Sequence, residues 1–175
     1  SDEGYFLIFG VQNARTVDFD IGSKLDMRNT FDVHNYTANY FRDENKGTTA
    51  MNVWGTFLPL AYDGEKDYFY GCTMQDGSTI DLTRRTDVWN STSSFSEGAK
   101  EVTFAANASI TVDLTGREIE FAKGESAVQI IAWETEPPAT TRFKTDAGMR
   151  ARGRSFVKRP DGLYLMRGEF ILYVR

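Results

Sequence analysis

The sequence of 175 residues holds one cysteine, Cys72, and one histidine, His34. A single thiol can form no disulfide within the chain and can build no cysteine-rich zinc site. A single imidazole leaves any histidine chemistry to His34 alone, and no third group is indicated for a His34–Cys72 thiol–imidazole pair. Cys72 reads instead as a small buried hydrophobe. No run approaches the roughly 18 apolar residues of a helical membrane span. Glycine-rich phosphate loops, a Gly-x-Ser-x-Gly elbow and His-Glu-x-x-His are all missing, which lowers nucleotide-binding, hydrolase and metalloprotease readings. There is no starting methionine, and Ser1-Asp2-Glu3-Gly4 is too acidic to open a signal peptide. The expectation is a trimmed or mature portion of a longer secreted protein.

What is present describes a globular chain. Hydrophobic residues make up 41%, aromatics 14% and charged residues 26%, enough to bury a core in one domain spanning 1–175. The net charge of −5 hides an asymmetry. Residues 1–141 carry 11 Lys/Arg against 22 Asp/Glu, whereas residues 142–175 carry 9 against 3. A basic end on an acidic body either pairs with that body, the simpler expectation, or binds an anionic partner.

Short segments rich in Val, Ile, Phe, Tyr, Trp and Thr recur along the chain and predict strands. They include Thr16–Ile21, Lys24–Val33, Thr49–Phe57, Asp67–Met74, Ser78–Thr83, Ser109–Leu114, Ala127–Trp133, Met149–Val157 and Gly162–Val174. Turn dipeptides such as Asp63-Gly64, Asp76-Gly77, Lys123-Gly124 and Asp161-Gly162 separate them. No long helix is predicted. The fold class is therefore all-β. A right-handed parallel β-solenoid ranks first and an antiparallel β-sandwich or jelly roll second.

The solenoid ranks first because of internal similarity. Gly22-Ser23-Lys24-Leu25-Asp26-Met27 matches Gly77-Ser78-Thr79-Ile80-Asp81-Leu82 as Gly-Ser-x-apolar-Asp-apolar. Ala108–Leu114 repeats the theme with one insertion, and Thr48–Val53 offers a fourth copy with Asn52 in place of Asp. The spacings from Asp26 through Asn52 and Asp81 to Asp113 are 26, 29 and 32 residues, a solenoid-like period. On strands, the flanking apolar residues would face inward and Asp26, Asp81 and Asp113 outward, as a file of carboxylates on rungs about 4.8 Å apart.

The stretches Met74–Leu82 and Val102–Arg117, with the apolar Val128–Trp133 and the phrase Asp161-Gly162-Leu163-Tyr164-Leu165, resemble late rungs of parallel β-helix passenger domains. Such domains belong to autotransporter-like bacterial surface proteins. The resemblance covers about residues 70–165. It implies a secreted or surface-attached bacterial protein with an adhesive or scaffolding role, and it carries no catalytic residues.

Three constellations carry chemistry. The Asp26, Asp81 and Asp113 file suits Ca²⁺, a hard cation that takes oxygen ligands, or a carboxylate pair that cuts a glycosidic bond. Solvated outward residues near turns are the plainer account, and no cofactor is expected. Arg150, Arg152 and Arg154 would share one face if they lay on a strand, where guanidinium forks grip oxyanions of an acidic glycan. Among the aromatics, Trp89 lies in the polar Trp89-Asn90-Ser91-Thr92 stretch and is expected to be exposed, while Tyr62, Tyr68 and Tyr70 flank a turn. All four are candidate sugar-stacking residues. Trp54 and Trp133 sit in apolar runs and are expected in the core. Nucleic acid is not an expected partner, given the net acidity and the lack of a helix reader. A non-catalytic surface module thus leads, followed by a carbohydrate-binding module and then a polysaccharide-degrading enzyme.

Overall fold

The computed structural model describes residues 16–26, 50–59, 72–93 and 100–168. The protein is an all-β molecule: fifteen short strands and a single one-turn-and-a-half helix among the described residues. From β1 to β7 and from β9 to β14, strands that follow one another in sequence lie in different sheets.

The first sheet runs β1 (Thr16–Phe19), β3 (Ala50–Val53), β5 (Thr73–Met74), β10 (Thr103–Phe104), every pair parallel. The second runs β2 (Lys24–Asp26), β4 (Thr56–Leu58), β6 (Thr79–Asp81), β11 (Ser109–Asp113), β13 (Arg142–Thr145), again all parallel. In the third, β7 (Trp89–Asn90) pairs in parallel with β12 (Ala127–Ala132). An antiparallel hairpin, β14 (Phe156–Arg159) and β15 (Gly162–Met166), then adds through β15 to the far edge of β12. A small antiparallel pair, β8 (Thr92–Ser93) and β9 (Lys100–Glu101), completes the strands.

One corner recurs between the first and second sheets. Ser23 N donates to Asp20 O, Ser78 N to Gln75 O, and Ala108 N to Ala105 O. The third residue of each four-residue turn has positive φ: Gly22 at 87°, Gly77 at 80° and Asn107 at 62°. Glycine and asparagine are the residues that enter this region at least cost, so the turn chemistry explains the recurring Gly-Ser. The hydroxyls of Ser23 and Ser78 bond back to the same carbonyls, at 2.6 and 2.7 Å. Between successive turns a ladder begins the second sheet: Thr56 N to Ser23 O, Thr79 N to Gly55 O, Thr111 N to Ser78 O, Arg142 N to Ala108 O, all 2.8–3.0 Å. Gly55 makes its own corner tighter, since a Cβ there would sit 2.2 Å from Ser23 O.

Strand alternation places the core. In β11, Ile110 and Val112 are fully buried while Ser109, Thr111 and Asp113 are half-buried on the other face. Ile80, Leu82 and Leu114 are likewise fully buried, as the repeat predicts, and they join one apolar cluster that extends from Val53 to Leu165. Burying each such side chain contributes about 1.5–3 kcal/mol. Trp133 is buried as expected, stacked on Phe143 at 5.9 Å with Phe104 edge-on to both, whereas Trp54 is only half-buried. Cys72 is buried.

Three expectations are corrected. The segment Met149–Val157 is not one strand: helix α1 (Ala147–Ala151) occupies its start, and β14 begins only at Phe156. The reason is local. Asp146 caps the helix by accepting from Met149 N, and Gly153, with φ 70°, turns the chain out of it. Asn52 does not belong to the Asp file. It lies on β3 in the first sheet, beside Asp18 and Thr73, because the copy containing it falls on the first sheet while those of Asp26, Asp81 and Asp113 fall on the second. The residue beside Asp26 is Leu58. Trp89 is 6% exposed rather than open to solvent, since it alternates inward against Asn90 on β7.

Candidate functional site

The carboxylate row is real over two strands only. Asp81 and Asp113 are register partners on β6 and β11, half-buried on the outer face. Asp26 is separated from them by Leu58 of β4, a strand whose Phe57 pairs with Ile80. Both paired carboxylates serve the turn that follows them. Asp81 Oδ1 accepts from Thr83 N at 3.0 Å and from Thr83 Oγ1 at 2.7 Å. Asp113 Oδ1 accepts from Thr115 N at 2.9 Å. These are local side-chain-to-backbone turns of the kind Asp favours. Among the described residues no group of three or more His, Cys, Asp or Glu converges as a metal site would require.

The same stretch carries a repeat more specific than Gly-Ser-x-apolar-Asp. Asp81-Leu82-Thr83-Arg84-Arg85 and Asp113-Leu114-Thr115-Gly116-Arg117 share Asp-Leu-Thr-x-Arg. In each, the Arg N–H closes a turn onto the Leu carbonyl, at 3.1 Å for Arg85 and 2.9 Å for Arg117. Both arginines then meet Asp87. Arg85, 7% exposed, donates to both carboxylate oxygens of Asp87, and Arg117 Nη2 donates to the Asp87 carbonyl at 3.2 Å. Arg117 Nη1 is buried without a partner. Burial pulls the Arg117 guanidinium below its usual range; Asp87 opposes that and the neighbouring Arg85 adds to it. One cation from each copy of the repeat converges on Asp87, Arg85 on its carboxylate and Arg117 on its carbonyl, which is a corner device of the fold. Aligning the sequence on Asp-Leu-Thr-x-Arg would have found it.

A third carboxylate, Asp146, continues the second sheet's row beyond Thr145, the register partner of Val112. It is 9% exposed. Its Oδ2 accepts from Leu114 N at 3.1 Å and its Oδ1 from Met149 N at 2.9 Å. One strand earlier in the sheet, the equivalent Leu82 N bonds the Asp113 backbone carbonyl. Asp146 thus substitutes a side chain for the missing next backbone as the chain leaves the sheet for α1.

The three arginines expected on one strand face are split. Arg150 lies on α1, exposed, with Nη2 on Thr145 O at 3.2 Å. Arg152 is the exposed C-cap. Arg154 is half-buried, its guanidinium 5.1 Å above the Phe121 ring and Nη1 3.6 Å from Met149 Sδ. They nonetheless belong to a broader basic end. Residues 142–168 carry eight Lys/Arg and two acids, Asp146 and Asp161. Asp161 accepts from the Tyr164 hydroxyl at 2.8 Å. Among the described residues the ion pair is Arg85–Asp87, and none of the eight cations makes one. Among the described residues, the expected pairing of this end with the acidic body is not seen.

Of the aromatic candidates, Trp89 pairs with Ile131 on β12 and lies 5.6 Å from the Phe57 ring, so its faces are used in the core. Tyr62, Tyr68 and Tyr70 lie outside the described residues, as does His34. No family model, curated protein or solved structure matches the chain.

Proposed function

We propose that the chain is a right-handed parallel β-solenoid module of a secreted or surface-attached bacterial protein, adhesive or scaffolding in role and not catalytic. The observation that carries this proposal is one repeated corner in constant register: strand, positive-φ turn, strand, stacked in parallel in two sheets. An antiparallel sandwich would pair successive strands antiparallel. Here the chain visits three sheets in turn, β5 to β6 to β7 and then β10 to β11 to β12, each strand lying parallel to its predecessor. Crossovers between parallel strands of one sheet are right-handed in about 98% of cases, which favours that hand. Two of the three carboxylates weighed for catalysis, Asp81 and Asp113, are engaged with turns, so the outer faces read as presentation surface. In the bacterium that encodes the chain, antibody raised against it is expected to label intact cells or the culture supernatant. Labelling only after lysis would overturn the surface assignment.

A further inference from the structure

The strongest feature left without a partner is the basic end. Arg142 and Lys144 on β13, Arg150 and Arg152 on and after α1, Arg159 on β14, and Arg167 are all exposed. Among the described residues none of them makes an ion pair: Asp146 is engaged with Leu114 N and Met149 N, Asp161 with the Tyr164 hydroxyl beside Arg159, and the exposed Glu125, Glu134 and Glu136 nearby pair with none of them. Among the described strands β13 ends its sheet, and its register neighbours are hydroxyl-bearing: Ser109 beside Arg142 and Thr111 beside Lys144. Unpaired cations gathered on one end repel, a cost that an anionic partner reduces.

We infer that this end is a docking surface for an acidic polysaccharide, a chain bearing carboxylates at regular intervals. Five of the six cations are arginine, whose planar fork matches a carboxylate with two parallel hydrogen bonds. They are spread over a sheet edge, a helix and a hairpin, which suits a linear polymer better than a small anion in a pocket. Other polyanions fit less well. Single-stranded nucleic acid needs open aromatic faces for its bases. Among the described residues no ring at this end is fully exposed, and Tyr164 and Phe121 each carry a guanidinium over one face, Arg159 at 4.1 Å and Arg154 at 5.1 Å. An anionic membrane calls for apolar anchors beside the cations. Of the exposed large apolar side chains among the described residues, Val157 alone lies here. This inference rests on charge placement and stands apart from the cell-surface assignment.

The test is retention of the full chain on immobilised polygalacturonate, with neutral dextran as the control matrix. Wild type is expected to bind polygalacturonate at about 50 mM salt, release as salt rises past the screening range, and pass through dextran. Reversing three exposed cations together, Arg142→Glu, Lys144→Glu and Arg152→Glu, should weaken binding at least about tenfold. Lys24→Glu, at the opposite edge of the same sheet, should leave it unchanged. If the triple variant misfolds by circular dichroism, Arg152→Gln alone should still weaken binding about two- to fivefold. The inference is overturned if wild type is not retained, if the reversed protein binds as wild type does, or if duplex or single-stranded DNA competes at equal or lower concentration than soluble polygalacturonate.

Discussion

Of the acidic residues that look most like chemistry in the sequence, Asp81 and Asp113 act as backbone acceptors, as does the buried Asp146. Asp81 and Asp146 differ in what their carboxylates hold, and the difference is measurable. Asp81 Oδ1 closes a surface turn onto Thr83, and asparagine retains that oxygen. Asp81→Asn should therefore change stability by no more than about 0.5 kcal/mol in urea titration. Asp146 satisfies two buried N–H groups, those of Leu114 and Met149. Asp146→Ala leaves both donors unpaired and removes the cap of α1, so a loss of about 2–4 kcal/mol is expected. Equal effects at the two positions would mean that burial does not distinguish them. Cys72 gives a test in pH. Burial pushes its thiol from 9.0 up to about 12, so the folded protein keeps it neutral. The unfolded chain ionises first. Its contribution to stability is therefore complete below pH 9 and is lost between pH 9 and about 12, with a slope approaching ~1.4 kcal/mol per pH unit. Measured against Cys72→Val, whose stability lacks this term, the wild-type advantage should shrink across that window. A constant difference would mean that the thiol titrates normally.

At the scale of elements, the closing hairpin rests on one glycine. A Cβ on Gly162 would lie 2.3 Å from Ile131 O and 2.4 Å from Gln129 Nε2, both on β12. Gly162→Ala must push β15 away, exposing the edge of β12 and the buried Leu163 and Leu165. Bare strand edges pair with other chains. Sedimentation of this variant should show concentration-dependent association; a stable, well-folded monomer would mean that the hairpin does not guard the edge. The existence of these elements was legible in the sequence. Asp76-Gly77 and Asp161-Gly162 mark turns because glycine and its neighbour set the local backbone, and Ile80, Leu82, Val112 and Leu114 alternate inward because strands have period two. What was not legible depends on distant partners or on a cap. Trp89 is hidden by Phe57 and Ile131, both remote in sequence, so its polar neighbours misled. Asn52 was misplaced because a six-residue match does not say which sheet it belongs to. Arg150, Arg152 and Arg154 alternate as a strand would, yet Asp146 starts a helix just before them.

For the molecule as a whole, the question is whether the parallel sheets and the closing hairpin unfold separately or together. Repetitive β-rich chains in which each unit contacts only its neighbours can lose cooperativity along their length. Here the described interior is continuous. Trp89 on β7 and Trp133 after β12 both belong to the one cluster that also holds Val53, Ile110 and Leu165. Trp133 further donates its indole N–H to Arg159 O, which joins the hairpin to the stack. A core shared this way cannot be opened at one end without stripping contacts from the neighbouring strands. Fluorescence from the buried tryptophans and far-ultraviolet circular dichroism should therefore report one urea transition with a common midpoint. With Trp54→Phe in both, the added Trp133→Phe leaves Trp89 alone to report the middle and the added Trp89→Phe leaves Trp133 alone to report the closing end, and the midpoints by fluorescence and by circular dichroism should coincide within each protein. If Trp133 fluorescence changed at lower urea than the circular dichroism, the closing segment would be a separate unit. The basic surface it carries could then detach while the parallel sheets remained folded.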